Sequence, residues 1–198
     1  MDSPWATQYN TWEFNEHQFP DARGMVSMLR ADGVRTVVWV TPWVNLDSRD
    51  GQIPPQPESE RLHAVPAPNY EPAAAAGHFV REGDQPLVAQ WWMGSGSPVD
   101  FTSLAAEAWW RESAKRLLAL GVEGIKADDG EGYYIPDHVT LADGRTGGQA
   151  AWALGGLYRE SMQRALDEAH PGTGVLFGRC GWTGQHATGL TWAGDQAS

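Results

Sequence analysis

The sequence predicts an α/β fold built on a parallel sheet, and two observations carry this prediction. A segment with apolar residues at helical spacing, a glycine and an unbroken apolar run follow one another three times along the chain. Apolar runs without polar alternation are typical of strands buried on both faces, and helices of this length join parallel strands through right-handed crossovers. Such a sheet is either covered by helices on both faces or closed into a barrel, and periodicity alone leaves both architectures open.

The first copy of the pattern occupies residues 20–41. Its helix has apolar residues at helical spacing: Met25, Met28 and Leu29. Gly33 is typical of the residue that ends a helix, and the run VRTVVWV at 34–40 predicts the first buried strand.

The second copy occupies residues 103–128. Either Thr102 or Ser103 can cap the helix of this copy. The predicted apolar face of that helix consists of Trp110, Ala114, Leu117 and Leu118. Gly121 ends the helix, and the run VEGIKA at 122–127 predicts the next strand.

The third copy occupies residues 150–178. The predicted apolar stripe of its helix consists of Leu154, Leu157, Tyr158, Met162 and Leu166. The tetrapeptide PGTG interrupts the helix, and VLF predicts a third strand. A fourth short strand is predicted near residues 189–193.

One stretch breaks this rhythm. Residues 51–86 contain IPPQPES and AVPAPNYEPAAAAG and show neither helical nor strand periodicity. We therefore expect a long insertion on the C-terminal side of a strand, which with its flanks covers about residues 45–98 and shapes the mouth of a site. The rest of the pattern fits one core, so residues 1–198 are assigned to a single domain.

The composition limits the kind of partner. The formal net charge is -11 and the pI is near 4.8, which argues against nucleic acid or an anionic membrane surface and favours a neutral or small partner. The 11 tryptophans favour carbohydrate, because an indole face stacks on the C–H face of a sugar ring.

The sequence contains no motif for several other functional classes. It shows no membrane span, no signal-peptide pattern and no Cys/His spacing of a zinc site, so we expect no metal or other cofactor and assign no compartment. Cys180, the single cysteine, is expected to be buried rather than to act as a nucleophile, since no histidine partner is evident. The sequence does not decide between a monomer and a homo-oligomer.

Polar residues lie at or just past the ends of the four predicted strands: Thr41, Asp128, Arg179 and Asp195. The C-terminal ends of parallel strands share the edge where α/β sheets and barrels bind ligands. Retaining cleavage of a glycosidic bond needs one carboxylate that attacks and a second that donates a proton, about 5 Å apart. Asp128 suits the first role because Lys126, on the same strand face, favours an ionised neighbour. Asp195 suits the second role because the nearby apolar Trp192 favours its protonated form.

Other interpretations of these residues stay open at this point. Asp128, Asp129 and Glu131 could form a solvated acidic turn or a cage for a metal ion such as magnesium. Arg179 could form a structural ion pair with Glu131, which is compatible with a role in binding. Three functional classes follow: a retaining glycosidase or its transglycosylating or lyase variants, a sugar-binding protein without activity, and a metal-dependent lyase on a barrel.

Several segments resemble glycoside hydrolase family 31, the family of α-glucosidases and α-xylosidases, and they occur in the family's order over nearly the whole chain. DSPW is similar to the tip of the second barrel strand, NEHQFPDARGMVSMLRADGVRTVVWVTPWV to the third αβ unit and GSPVDFTSLAAEAWW to the lead into the fourth. IKADDGE resembles the nucleophile segment, and FGRCGWTGQHATGLTWAGDQ resembles the arginine strand followed by the acid/base strand. The resemblance implies a partial (β/α)8 TIM barrel, roughly strands 3 to 6 with the tip of strand 2.

The resemblance also implies roles for individual residues. It implies Asp128 as the nucleophile, Asp195 as the general acid/base, and Arg179, held by Glu131, as a clamp for sugar hydroxyls. Asp2 is implied as a further hydroxyl ligand. The complete set of expected substrate-binding residues is Asp2, Trp39, Thr41, Lys126, Arg179 and Trp192. The implied partner is a carbohydrate, and the implied reaction is hydrolysis of α-linked glucosides or xylosides without a cofactor.

Three features depart from the family pattern. Asp129 stands where relatives usually carry an apolar or aromatic residue, and Thr41 stands where many carry a carboxylate or Asn, so the sugar is not identified. Strands seven and eight have no counterpart in the sequence, and a barrel of this class needs about 250 residues. We therefore expect a catalytic-barrel fragment, which aggregates or is inactive alone because its sheet edges are unpaired.

Overall fold

The structure is a computed structural model that describes residues 1–48 and 66–194 of the chain. Its helices and strands, in chain order, are α1 (Ala22–Ala31), β1 (Val37–Val40), β2 (Trp43–Ser48), α2 (Tyr70–Ala75), β3 (Arg81–Glu82), β4 (Gln85–Pro86), β5 (Ala89–Trp91), β6 (Gly94–Pro98), α3 (Leu104–Leu118), β7 (Gly124–Ala127), α4 (Gly147–Ala169), β8 (Val175–Gly178) and β9 (Leu190–Thr191). Short 3₁₀ helices at Gly132–Tyr134 and Gln185–Ala187 lie in the connections after β7 and β8. Within the described residues, no helix is both long and apolar enough to cross a membrane.

The main sheet contains β1, β7, β8 and β9 in that order, and every pairing is parallel. In the register of the sheet, Val38 lies opposite Ile125, which lies opposite Leu176. All three side chains are buried. Helix α3 precedes β7, and α4 links β7 to β8. The predicted α/β fold with a parallel sheet is therefore confirmed.

The first helix presents a different face from the predicted one. Met28 is 62% exposed, whereas Val26 is buried and packs in the core together with Ala22 and Met25. Positions 22, 25 and 26 lie within one turn on one side of a helix, so this side packs inward and Met28 points outward. The predicted stripe is wrong at Met28. Gly33 follows the helix with a φ of +78°, as expected of a residue just past a helix end.

Helix α3, the second of the three predicted helices, has the predicted apolar face, and all four residues of that face are buried. Ser103 rather than Thr102 caps it, because the Ser103 hydroxyl accepts a hydrogen bond from the backbone N–H of Ala106 over 3.3 Å.

The third helix, α4, begins at Gly147, earlier than the predicted residue 150. Thr146 and Gln149 form a capping box there, which satisfies backbone donors that the helix itself leaves open. The predicted stripe is buried except for Leu157, which is half-buried and packs on the core. Helices α3 and α4 pack against each other.

The insertion between β1 and α3 contains regular structure that periodicity does not predict. In its described part, β2, β6 and β5 form an antiparallel sheet, β3 and β4 pair, and α2 is a short helix. Residues 66–86 thus contain regular structure although they lack periodicity, and residues 51–65 lie outside the described residues. Strand β6 reads GSGSP, and a Cβ at Gly94 would lie 2.0 Å from the Asp47 carbonyl oxygen. Close approach of two backbones therefore requires glycine in this strand.

A small aromatic cluster joins the main sheet to the insertion sheet. The aromatic cluster consists of Tyr9, Trp39, Trp43, Trp91 and Met93. Trp39 belongs to β1, and Trp43 begins β2 directly after β1 ends. The cluster therefore lies at the C-terminal edge of the main sheet, where parallel sheets bind ligands.

Candidate active site

The ends of β1, β7 and β8 bring polar residues to one edge of the main sheet. Thr41, Asp128 and Arg179 each follow their strand directly. Pairing continues past the strand ends, since the Asp128 N–H donates to the Val40 carbonyl over 2.9 Å and the Arg179 N–H donates to the Ala127 carbonyl over 3.2 Å. The backbone at these three positions is thus held in register.

Asp128 is a buried carboxylate that is surrounded by donors. Trp39 Nε1 donates to its Oδ2 over 2.7 Å, and the backbone N–H of Asp129 donates to its Oδ1 over 2.8 Å. Arg179 Nη1 lies 3.2 Å from the same Oδ1. These groups all donate, so the surroundings match the acceptor character of an ionised carboxylate.

Asp129 is fully buried and has a φ of +58°, a left-handed conformation that Asp and Asn adopt more readily than most other side chains. Trp43 Nε1 donates to its Oδ2 over 2.9 Å, and Arg179 Nη2 donates to its Oδ1 over 3.0 Å. Because Asp128 and Asp129 are both buried, the alternative of a solvated acidic turn is wrong.

Arg179 and Glu131 form a bidentate ion pair. Arg179 Nε donates to Glu131 Oε1 over 2.7 Å, and Nη2 donates to Oε2 over 2.9 Å. With its contacts to Asp128 and Asp129, the one guanidinium touches three carboxylates. The paired fork geometry fixes the guanidinium plane and hence the position of Nη1 beside Asp128.

The crowding of charges shifts the pKa values of the cluster. Burial, followed by the hydrogen bond and charge of Glu131, raises the pKa of Asp129 to about 7, although Arg179 opposes the shift. Burial disfavours ionisation of Glu131, but hydrogen bonds with Arg179 and Asp129 outweigh it and lower its pKa. The hydrogen bonds with Glu131 and the surrounding negative charges raise the pKa of Arg179. Near neutral pH, Arg179 is therefore charged, Glu131 is ionised and Asp129 holds a proton for part of the time.

Three of the predicted substrate-binding residues lie together. Lys126 Nζ forms an ion pair with Asp2 over 2.7 Å and lies 5.1 Å from the ring centroid of Trp192. The lysine reaches Asp2 because the N-terminal segment is hydrogen-bonded to β1. This pairing corrects the expectation that Lys126 supplies the positive charge beside Asp128, since Arg179 occupies that position.

Thr41 is fully buried, and Asn10 already engages its polar atoms. Asn10 Nδ2 donates to the Thr41 hydroxyl over 2.9 Å, and the Thr41 N–H donates to Asn10 Oδ1 over 3.3 Å. Asn10 also donates to the Trp43 carbonyl, so it fixes the turn between β1 and β2. Contact of Thr41 with a ligand stays a prediction.

The aromatic cluster supplies donors for both buried aspartates. Trp91 stacks between Trp39 and Trp43, at ring-centroid distances of 6.4 and 5.8 Å and interplanar angles of 11° and 7°. The outer two indoles donate to Asp128 and Asp129 respectively. Trp39 is buried, and its hydrogen bond shows that it supports Asp128, whereas contact of Trp39 with a substrate stays a prediction.

Sequence reasoning assigns no site role to Trp43, Trp91 or Asn10. The signal in the sequence is the excess of tryptophan near strand ends, which does not identify partners. Trp43 contacts a residue 86 positions away, and Trp91 donates to Asn45, which is 46 positions away. Local periodicity carries no information on contacts at these separations.

Comparison with known proteins decides the family. The family model described as the glycosyl hydrolases family 31 TIM-barrel domain matches residues 1–198. The chain belongs to glycoside hydrolase family 31. This membership confirms the resemblance and identifies the main sheet with its helices as part of a TIM-barrel domain.

Relatives within family 31 include enzymes with different names. The 1,3-alpha-isomaltosidase of Kribbella flavida is 29% identical over 192 residues, which cover 91% of this chain and 23% of that protein. The alpha-xylosidase of Emericella nidulans is 27% identical over 201 residues, which cover 98% of this chain and 23% of that protein. The solved structure of the cycloalternan-degrading enzyme from Trueperella pyogenes aligns with a TM-score of 0.70 at 29% identity, over 89% of this chain and 24% of that one. The chain thus spans about a quarter of the length of the relatives it matches.

Asp195, the residue that the family 31 resemblance implies as acid/base, lies outside the described residues, which end at Gly194. Its role stays a prediction. The roles assigned to the other site residues are likewise predictions, although their positions are now known.

Cys180 is not placed for catalysis. It is buried, and its thiol donates to the Gly155 carbonyl over 3.5 Å. Burial, together with the charge of Glu131, raises the pKa of the thiol to about 12, so the thiolate is scarce at neutral pH. The expectation of a buried cysteine is confirmed.

The metal-cage alternative needs a cation among Asp128, Asp129 and Glu131. The guanidinium of Arg179 lies among these carboxylates and contacts each of them. Across residues 1–48 and 66–194, no group of His, Cys, Asp and Glu side chains is arranged to hold a metal ion.

Proposed function

We propose that this chain carries the catalytic carboxylates of a retaining α-glycoside hydrolase. Its substrates are α-linked glucosides or xylosides, and the reaction is a double displacement with Asp128 as nucleophile and Asp195 as general acid/base. The four strands of the main sheet are strands 3 to 6 of a (β/α)8 barrel, and Asp2 lies at the tip of strand 2. Residues 1–198 form one incomplete barrel domain, and no cofactor takes part.

The setting of Asp128 carries this proposal. The carboxylate is buried at the C-terminal end of a strand in the middle of the sheet and is held by an indole, a backbone N–H and a guanidinium. A carboxylate fixed in this way is oriented for attack on an anomeric carbon, and Arg179 balances its charge before the covalent bond forms. The family supplies the class of reaction, and the relatives named above are an isomaltosidase and a xylosidase.

In the first step, an oxygen of Asp128 bonds to the anomeric carbon while the bond from that carbon to the leaving oxygen breaks. Asp195 transfers its proton to the leaving oxygen. In the second step, the ionised Asp195 takes a proton from water, whose oxygen attacks the anomeric carbon and releases Asp128. Two inversions at one carbon retain the α-configuration.

The residues just before Asp195 support its part in this mechanism. The Trp192 N–H donates to the Gly178 carbonyl over 3.3 Å, so the segment continues beside the end of β8. A Cβ at Gly194 would lie 3.4 Å from Arg179 Cδ. Asp195 directly follows Gly194 in the sequence, and Arg179 is the residue that pairs with the proposed nucleophile.

Groups suited to a sugar lie at the same edge of the sheet. Lys126 and Asp2 offer a donor and an acceptor for hydroxyls, and the half-buried Trp192 offers an indole face to a pyranose ring. The side chain of Arg179 is 21% exposed, which leaves part of the guanidinium open to a hydroxyl. Trp39 and Thr41 complete the proposed set of binding residues. Both are buried: Trp39 holds Asp128, and Thr41 fixes the backbone at the end of β1.

Trapping of the covalent intermediate in the full-length protein tests this proposal. A fluorinated glycosyl fluoride forms the glycosyl-enzyme faster than water releases it, so it should label the peptide of residues 124–134 through Asp128. Asp128→Ala should take no label. A label on any other peptide would refute Asp128 as the nucleophile.

In the full-length protein, the variant Asp128→Asn separates the three functional classes. In a glycosidase it removes nearly all turnover and retains ligand affinity, whereas a sugar-binding protein shows no turnover with either residue. EDTA should abolish the activity of a metal-dependent lyase and leave the activity of a glycosidase unchanged. Asp143→Asn is the matched control, because Asp143 is exposed and pairs with Arg145 on the surface.

A further inference from the structure

Three carboxylates share one guanidinium in the candidate active site. Arg179 lies 3.2 Å from Asp128, 3.0 Å from Asp129 and 2.7 Å from Glu131. If all three carboxyl groups were ionised, three negative charges would face one positive charge and two would be uncompensated. Excess buried charge is costly, so a proton retained on one carboxyl group gives the more stable state.

The contacts indicate which carboxyl group retains the proton. Asp128 is surrounded by donors, including a backbone N–H, and Glu131 receives both arms of the Arg179 fork. Asp129 receives a single contact from Arg179, and its other oxygen faces the neutral indole of Trp43. It is also fully buried, so Asp129 has the least compensation for a charge.

We propose that Asp129 is a positioning residue of this active site that shares one proton with Glu131, so that Asp128 and Glu131 remain the two charged partners of Arg179. The inference rests on the proposed function, in which Asp128 attacks as an ionised carboxylate. Asp129 acts through Arg179 and not on the substrate.

The titration behaviour of the neighbouring groups agrees with this assignment. The pKa of Asp129 is raised to about 7 and that of Glu131 is lowered, which places the shared proton on Asp129. Besides Asp128, Glu131 and Arg179, the titratable groups that interact with Asp129 are Tyr133, Tyr134, Tyr158 and Cys180. Burial raises the pKa of each of these four, so they stay neutral while Asp129 titrates.

The shared proton has a consequence for activity. When Asp129 ionises, it competes with Asp128 for Arg179, and the nucleophile loses part of its fixed partner. Protonated Asp129 therefore belongs to the active form. The loss of its proton adds a second ionisation to the alkaline side of the pH profile, beside that of the general acid.

Carboxyl titration tests the inference directly. In the full-length protein labelled with ¹³C-aspartate, NMR should detect an aspartate titration near pH 7 that persists in Asp195→Asn, the variant that removes the proposed general acid. In that background the signal should be absent when Asp129→Asn is added and unchanged when Asp143→Asn is added. Asn tolerates the left-handed backbone, but its single amide oxygen can accept from only one of Trp43 and Arg179, so the variant removes one acceptor together with the proton site. The inference is overturned if every aspartate of Asp195→Asn titrates in the ordinary acid range, or if its near-neutral titration survives when Asp129→Asn is added.

A second variant covers the case in which Asp129→Asn does not fold. Trp43→Phe removes a donor that favours ionised Asp129, so the near-neutral titration should move to higher pH. A titration that does not move in Trp43→Phe would count against the assignment to Asp129.

The pH profile of kcat/KM supplies a readout that a purely structural role would not change. The alkaline limb should be less steep in Asp129→Asn than in the parent, and equal slopes would overturn the inference. The NMR titration needs no turnover. If Asp129 titrates near pH 7 but the protein has no glycosidase activity, the proposed function alone is refuted. If the protein is active but Asp129 does not titrate there, this inference alone is refuted.

Discussion

Trp39 donates its indole N–H to Oδ2 of Asp128 over 2.7 Å, although the two residues are 89 positions apart in the chain. The parallel register places Trp39 opposite Lys126, two residues before Asp128. Trp39 is itself held by the stacked Trp91. The proposed nucleophile is thus oriented by a rigid, buried ring from the neighbouring strand, which is the kind of support that a precise catalytic geometry requires.

Trp39→Phe in the full-length protein, in which all the kinetic variants below are made, tests the importance of this hydrogen bond. Leaving a buried acceptor without its donor costs about 1–3 kcal/mol, so we expect kcat/KM to fall by about tenfold to a hundredfold. Trp110→Phe is the matched control, because Trp110 is equally buried and its indole N–H has no hydrogen-bond partner among the described residues. Steady-state kinetics should show little change in the control. An equal loss in both variants would assign the effect to packing.

Arg179→Lys tests whether the fork geometry or only the charge matters. Lysine keeps the positive charge but cannot contact Glu131 in bidentate fashion while also reaching Asp128 and Asp129. Losing charge-assisted hydrogen bonds worth about 1.5–3 kcal/mol each should lower kcat/KM by at least about tenfold. Arg145→Lys, at an exposed ion pair with Asp143, should leave kcat/KM unchanged. Retained activity in Arg179→Lys would show that a point charge suffices.

The positions of the site residues at strand ends follow from the sequence because they depend on local periodicity. Apolar runs locate β1, β7 and β8, and the residue after each run lies at the shared edge of a parallel sheet. Asp128 and Arg179 are found in this way. The ion pair of Arg179 with Glu131 is also foreseen, but from the family resemblance and not from periodicity.

The rest of the site depends on contacts that periodicity does not encode. Lys126 pairs with Asp2 because the N-terminal segment lies along β1, which the sequence of β7 cannot reveal. Asp129 is buried because its backbone is left-handed and Trp43 reaches it from β2. The antiparallel sheet of the insertion is likewise not predictable, because its strand β6 is made of Gly, Ser and Pro and has no apolar alternation.

The dependence of stability on pH should differ between variants of Asp129 and Glu131. The pKa of Asp129 rises from 3.8 to about 7 on folding, so the native state binds more protons than the unfolded state between these values. The free energy of unfolding therefore falls as pH rises through this window. In Asp129→Asn this fall disappears, and the variant gains stability relative to the parent between pH 4 and pH 7.

Ionisation of Glu131 should have the opposite effect on the pH dependence of stability. Its pKa is lowered from 4.5 on folding, so its stabilising effect is complete above that value and is lost as pH falls through the lowered pKa. Glu131→Gln should therefore lower the free energy of unfolding most at neutral pH and least in acid. Urea unfolding of both variants at a series of pH values measures these differences. Parallel curves for the parent and Asp129→Asn would contradict the raised pKa of Asp129.

Arg159 is a buried residue of α4 that fixes the segment before the proposed acid/base. Its guanidinium donates to the carbonyls of residues 180, 188 and 190 and to the Thr191 hydroxyl. Arg159→Met leaves these acceptors without their donor, so the free energy of unfolding should fall by at least about 2 kcal/mol. Arg164→Met, on the exposed side of the same helix, should have little effect.

The activity of Arg159→Met should depend on the leaving group, because a displaced segment 180–191 would misplace Asp195. Glycosides with a basic leaving oxygen need the proton of the general acid, whereas fluoride leaves with little assistance. We therefore expect kcat/KM to fall strongly for alkyl α-glycosides and only weakly for the corresponding glycosyl fluorides, with both measured at a temperature where the variant is folded. Equal losses on both substrate types would indicate that Arg159 supports the fold but not the position of the acid, since damage to the Asp128 side of the site affects every leaving group.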